Sequence, residues 1–209
     1  MDQTINSLTE TEISQRLSNY LEKKFEKRDF NSLYPAEFFN DYPRNAAVLV
    51  PILRVQDAWH VLFTRRTPSL PEHSGQVAFP GGRADPSDDS LEITALREAK
   101  EEIDLKPDDV RILGRLREIR TISNYCVMPV VGCIPWPYEF HLAREEVSRV
   151  FTIPLEWLAD LKNHEILYRE LPPPHSPIPV IYFNHYNGEL LWGISAEITL
   201  ILLESLQLV

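Results

Sequence analysis

The sequence predicts an α/β or α+β layered domain, and three observations carry that reading. Short apolar runs of strand character recur along the chain, segments of helical periodicity stand around them, and turn residues separate the two. The chain has 209 residues, enough for one domain with a substantial core. We read residues 1–209 as a single domain, with 1–45 an N-terminal helical extension packed on it.

In chain order, Ile13, Leu17, Leu21 and Phe25 recur at i+4, and Thr9 with Glu12 is placed as a capping box. This predicts a first helix. Its outer face carries Lys23, Lys24, Lys27 and Arg28, read as a solvated face; the alternatives are a dimer contact or a substrate rim. Strands are expected at Ala46–Leu53 and His60–Thr64, joined by a hairpin turn at Gln56-Asp57. A loop rich in Pro and Gly runs from Thr67 to Pro86, followed by a helix from Leu91 to Glu102. Further strands are expected at Val110–Arg120, Val127–Ile134 and Val147–Ile153, then a short helix at Leu155–Leu161. Pro172-Pro173-Pro174 marks an irregular loop. The chain closes with a strand at Val180–Tyr186, a turn at Asn187-Gly188 and a helix at Ser195–Leu206.

The formal charge is −10, from 21 basic and 31 acidic side chains. That argues against non-specific nucleic-acid binding, which needs excess Lys and Arg, but not against a small anionic substrate held by a local cation or metal. Cys126 and Cys133 read as two small buried hydrophobes, and their spacing fits neither a disulfide framework nor a zinc site. Met1-Asp2-Gln3-Thr4 lacks a signal-peptide pattern, and no apolar run approaches the ~20 residues that span a bilayer. A reducing cytoplasm and no membrane partner are therefore expected.

Chemistry concentrates in Phe79-Pro80-Gly81-Gly82, Arg83 to Asp89, and Arg97-Glu98-Ala99-Lys100-Glu101-Glu102. At about 100° per residue, Glu98, Glu101 and Glu102 share one arc of the helix, beside a core seam of Ala95, Leu96, Ala99 and Ile103. Like charges that close repel, and a hard divalent cation offsets the repulsion. For an isolated Glu-x-x-Glu-Glu a solvated acidic face would be the better reading. The loop alters the balance, because Gly81-Gly82 lets the backbone approach a ligand or metal closely. Asp85, Asp88 and Asp89 suit the helix N-terminus as caps, and Arg97 is placed to pair with an acidic loop residue as a brace.

These residues resemble the Nudix box: Gly, five residues, Glu, seven residues, then Arg-Glu-apolar-x-Glu-Glu-x-Gly-apolar. Arg97 to Ile103 match directly and Leu105 fills the last apolar place. Asp89 stands where the first Glu belongs, the Gly82-to-Asp89 spacing is one residue longer, and Asp104 replaces the Gly. Leu62–Thr67 and His73–Gly82 resemble the signature upstream of the box in coenzyme A pyrophosphatases, except that Pro71 stands where that signature has Arg. Segments around Pro129–Gly132, Glu146–Leu155 and Trp192–Ala196 are also similar.

The resemblance implies a Nudix-type α/β/α sandwich with a mixed sheet and a loop-helix-loop catalytic motif. It implies Mg²⁺- or Mn²⁺-dependent hydrolysis of a nucleotide diphosphate linkage, with coenzyme A or acyl-coenzyme A cut to 3′,5′-ADP and (acyl-)4′-phosphopantetheine. Glu98 and Glu102 become principal metal ligands, and Glu101 a further ligand or the base that orients water. The Gly82 or Gly81 carbonyl completes the coordination, and Arg97 joins the catalytic set. Glu146, or Glu145, is the expected distal carboxylate. Arg65, Arg66, His73 and Gly81 are the substrate-side candidates. ADP-ribose, NADH or a nucleoside triphosphate is the alternative substrate, and a non-catalytic nucleotide-binding Nudix domain the lesser alternative. A homodimer is compatible with this reading.

Overall fold

A computed structural model describes residues 5–22, 35, 38–39, 42–69, 73–171, 173 and 175–209. Its helices are α1 (Glu10–Glu22), α2 (Leu91–Ile103), α3 (Leu155–Ala159) and α4 (Gly193–Ser205). Its strands are β1 (Arg44–Val55), β2 (Ala58–Arg66), β3 (Val77–Ala78), β4 (Gly81–Arg83), β5 (Arg111–Arg115), β6 (Ile119–Arg120), β7 (Tyr125–Cys133), β8 (Val147–Pro154), β9 (His164–Arg169) and β10 (Ile178–Phe183).

β1 to β8 form one mixed sheet whose main path runs β3-β2-β1-β7-β5, with β4 on β1, β6 on β7 and β8 on β2. β1 and β7 are parallel; the other pairs are antiparallel. Helices cover both faces, which is why the central strands read as continuous apolar runs rather than as alternation. Along β1, Val50 and Ile52 join one buried cluster with Leu8, Ile13 and Leu17 of the N-terminal segment and Ile198, Leu200 and Ile201 of α4. Ala47, Leu49 and Leu53 of the same strand face the other way, into a cluster with Ala95, Ala99 and Ile103 of α2. The result is a mixed sheet between helical layers, as the sequence predicts.

Several local expectations hold. Thr9 Oγ1 accepts from the Glu12 N–H and the Glu12 carboxylate accepts from the Thr9 N–H, closing the capping box on α1. Gln56 and Asp57 both take positive φ (47° and 66°), which two-residue hairpin turns of this hand require. The cationic positions Lys23, Lys24, Lys27 and Arg28, and also Phe25 and Pro71, lie outside the described residues.

Four expectations are corrected. The Thr67–Pro86 segment is not all loop: it carries β3 and β4, formed by pairing with the distant strands β2 and β1. The single strand expected at Val110–Arg120 is two, β5 and β6. Both pair with β7, whose Pro129 has no N–H to continue the ladder between them. His164–Arg169, not anticipated, is a strand paired with β10. The two cysteines are free but only half buried, and Cys126 Sγ donates to Glu118 at 3.4 Å. No helix among the described residues is long and apolar enough to cross a membrane.

Candidate active site

The site begins at the N-terminus of α2. Ser90 is the cap: its backbone is extended and its Oγ accepts from the Ile93 N–H. The expected acidic caps do other work. Asp85 folds back on Ser87, Asp89 is exposed, and Asp88 accepts from Thr94 Oγ1 at 2.8 Å and from the Asp85 N–H at 2.9 Å. A short serine side chain reaches the first-turn amides directly, whereas Asp88 lies two residues too early to do so.

Asp88 is thereby fixed where Arg97, two turns along α2, meets it. Arg97 donates from Nε to Asp88 Oδ1 and from Nη2 to Asp88 Oδ2, both at 3.0 Å. The same guanidinium donates to Glu98 at 2.8 Å, to Glu101 at 3.2 Å and to the Arg83 carbonyl at 3.0 Å. The expected brace between loop and helix is therefore present, and one cation holds the loop and two of the three glutamates. The Arg97 hydrogen bonds keep the Asp88 carboxyl well below the usual carboxylate range.

The three glutamates are not equivalent, although helical geometry puts them on one arc. Glu101 is 59% exposed, Glu98 half buried, and Glu102 only 4% exposed. The sequence suggests that Glu101 and Glu102 both lie on the polar face of α2; that is corrected for Glu102, which is buried where α2 meets the sheet. Burial pushes its pKa up to about 8; Arg66 opposes this, while Glu146 and Glu98 add to it. Burial also raises Glu98, against the Arg97 ion pair and with help from Glu101 and Glu146.

The glycines explain how the loop comes so close. Gly82 pairs with Ala47 and Gly81 with Val48 of β1. A Cβ on Gly82 would stand 2.5 Å from Glu98 Oε2, and one on Gly81 would stand 2.4 Å from the Ala47 carbonyl oxygen. The first contact is with the tip of a flexible acid, the second with a strand backbone. Gly81 also contributes a backbone hydrogen bond to the Glu102 carboxylate.

The remaining candidates separate. Arg66 lies on the Glu102 side, and its Nε is buried with no hydrogen-bond partner. Arg65 points to the other face, where Arg65 and Arg149 each hold one oxygen of buried Glu189 at 2.9 Å. His73 is exposed, with Nδ1 3.0 Å from Gln76 Oε1. Glu146 lies in a turn tied to the site: the Ala143 N–H donates to the Glu102 carbonyl, and the Thr67 N–H to the Glu146 carbonyl. Glu145 is exposed in the same turn. The Glu189–Arg149 pairing carried no sequence signal, since the two residues lie 40 positions apart. A cavity of about 450 Å³ beside the loop is lined by residues that include Arg44, Arg83, Asp85, Asp88, Ser90 and Thr94, and none of the three glutamates is in its lining.

Among the described residues, no three Asp, Glu, His or Cys side chains stand close enough to cage a metal as they are. The donor chemistry nevertheless fits a divalent cation. A buried carboxylate with raised pKa and a second one beside it make a pair of hard-oxygen donors with excess negative charge, and Gly81 and Gly82 bring the loop backbone against them. The unpartnered Arg66 Nε adds a donor suited to a phosphate oxygen at the same place.

The family model described as "NUDIX domain" matches residues 43–173. Proteins of Yersinia pestis and Yersinia pseudotuberculosis, each called "Uncharacterized Nudix hydrolase NudL", are 40% identical to the chain over 169 residues, 80% of this chain and 82% of theirs. Among solved structures, a MutT/nudix family protein from Enterococcus faecalis aligns with a TM-score of 0.52 at 18% identity, covering 89% of this chain and 71% of that one. That last likeness is one of fold.

Proposed function

The chain belongs to the Nudix family and is a Nudix hydrolase; from that premise we propose that it hydrolyses the diphosphate linkage of coenzyme A or acyl-coenzyme A, giving 3′,5′-ADP and (acyl-)4′-phosphopantetheine. The observation that carries the chemistry is the buried Glu102 carboxylate within the electrostatic reach of Arg66, whose Nε is buried without a hydrogen-bond partner, with half-buried Glu98 and the Gly81-Gly82 backbone beside it. What supports coenzyme A is the resemblance of Leu62–Thr67 and His73–Gly82 to the coenzyme A pyrophosphatase signature.

Glu98 and Glu102 would hold Mg²⁺ or Mn²⁺, with Glu146 from the facing turn and the Gly82 or Gly81 carbonyl as further oxygens. When bound, such an ion neutralises phosphate oxygens and lowers the pKa of an attacking water. Glu101, the most exposed of the three, orients that water and takes its proton. Arg66 pairs with a phosphate oxygen. Arg97 acts through Glu98, Glu101 and the loop, as a positioning residue rather than one that meets substrate. Arg65 serves the substrate only if it exchanges its Glu189 partner. The whole chain works as one domain, with α1 sharing its core. The proposed compartment is the cytoplasm, where free Cys126 and Cys133 stay reduced.

The test is a substrate panel with purified protein and either metal: coenzyme A, acyl-coenzyme A, ADP-ribose, NADH and nucleoside triphosphates, products identified by mass. Coenzyme A should show the highest kcat/KM, and Pro71→Arg should lower its KM. A better rate on ADP-ribose, NADH or a triphosphate overturns the substrate assignment while leaving the family chemistry. Nucleotide binding without turnover in either metal points to a binding domain.

A further inference from the structure

β9 and β10 form a two-stranded sheet of their own, and among the described residues no strand pairs the outer edge of β9. That edge is not blunted. Ile166, Leu167 and Tyr168 are exposed along it, Tyr168 by 70%, and Leu161 is exposed just before it. An open edge carrying apolar side chains is a template for pairing with another chain.

The residue order states which chain. The strand and the residue after it read His164-Glu165-Ile166-Leu167-Tyr168-Arg169-Glu170. Set two copies antiparallel about a two-fold axis through Leu167. Leu167 then faces Leu167, Ile166 faces Tyr168, Glu165 faces Arg169, and His164 faces Glu170. Apolar meets apolar, and each carboxylate meets a basic side chain, twice over by symmetry. Moving the axis to Ile166 sets Glu165 against Leu167, and moving it to Tyr168 sets Leu167 against Arg169. One register is thus preferred. Among the described residues, neither Glu165 nor Arg169 has an ion pair within its own chain.

We propose that the outer edge of β9 is a homodimer interface, in which two copies join their two-stranded sheets into one of four strands through Leu167. The contact is a single strand with a few apolar neighbours, at the small end of specific interfaces, so the dimer is weak and concentration-dependent.

Sedimentation velocity and light scattering on the full chain, from low micromolar to near-millimolar, test it. The wild type should pass from monomer to dimer across that range. Glu165→Arg and Arg169→Glu each set like charges opposite one another twice, and each should weaken the dimer by at least about tenfold. The double variant swaps the pair and should regain dimerisation to within about threefold of wild type. Circular dichroism checks the fold, which these exposed positions should leave intact. If either charge variant is unfolded, Leu167→Lys asks the same question by placing two ammonium groups on the axis. A wild type that stays monomeric throughout overturns the proposal, including the case where the edge takes another protein's strand. So does a dimer indifferent to the single changes, or a double variant no better than either.

Discussion

Arg97 and Asp88 meet through two parallel hydrogen bonds, Nε to Oδ1 and Nη2 to Oδ2, each 3.0 Å long. The pair joins the loop to the helix that carries the glutamates, so it couples stability to the site's geometry. Lysine keeps the charge but not the planar fork. Arg97→Lys should cost about 1–3 kcal/mol of stability. It should also lower kcat more than it raises KM, because Glu98 and Glu101 lose their shared donor. Denaturant melts and steady-state kinetics read both; an unchanged kcat would remove Arg97 from the positioning role.

The same pair makes a pH prediction. The Asp88 carboxyl is held well below its ordinary value, chiefly by Arg97. A depressed carboxylate contributes stability above its unfolded pKa, near 4, and loses it as pH falls toward the folded value. Asp88→Asn should therefore melt below wild type at pH 7, and the gap should narrow steadily from pH 5 to pH 2. A gap that stays constant with pH would show that the charge is not what the position contributes.

The paired glycines should fail differently. A methyl group on Gly81 meets the backbone of β1, which cannot yield cheaply. Overpacking of that kind costs about 1–3 kcal/mol, so Gly81→Ala should lower Tm. On Gly82 the methyl meets the Glu98 carboxylate first, the end of a flexible side chain that can swing away. Gly82→Ala should keep Tm within a few degrees and lose most of its turnover. Equal effects of both changes on Tm would contradict this division.

Much of this arrangement was legible in the residues, and what was not has a physical cause. β1, β2 and β7 announced themselves because both of their faces are buried. β9 did not, because from Glu165 to Arg169 it buries little and so shows no alternation. β3 and β4 exist only through pairing with distant strands, which a local reading of Pro and Gly does not register. The glutamate arc follows from helix geometry alone. That Glu102 is buried while Glu101 is exposed depends on how far the sheet reaches under α2, which periodicity does not report. Arg65 and Arg66 are adjacent in sequence, yet strand alternation sends them to opposite faces.

Asp104 ends α2 in the left-handed conformation, φ 55°, with its N–H bonded to the Lys100 carbonyl. The Nudix pattern has Gly there, and Gly takes this conformation without steric cost. Asp104→Gly should stabilise the protein by roughly 0.5–1 kcal/mol. The change also removes a pairing with His141 Nδ1 at 3.3 Å, but both side chains are well exposed, and such pairs contribute little. Relief of the backbone should win. A lower denaturation midpoint for Asp104→Gly would mean that the carboxylate matters more than the turn.

Glu102 sets stability against function. Its pKa, raised to about 8 by burial, means that the metal-free protein loses stability as pH climbs from the ordinary carboxylate value near 4.3 towards 8. Glutamine has no proton to lose, so Glu102→Gln in EDTA should melt at or above wild type, with the larger advantage at pH 8. Adding Mg²⁺ should reverse the order, because a ligand that binds only the folded state stabilises in proportion to its affinity. The variant should meanwhile lose at least about 100-fold in kcat. Thermal melts at pH 5 and pH 8, with and without Mg²⁺, separate the alternatives. A variant that gains as much from Mg²⁺ as wild type would take Glu102 out of the ligand set, and one that melts lower in EDTA at pH 8 would show that the carboxylate's hydrogen bond from Gly81 outweighs the cost of burying its charge.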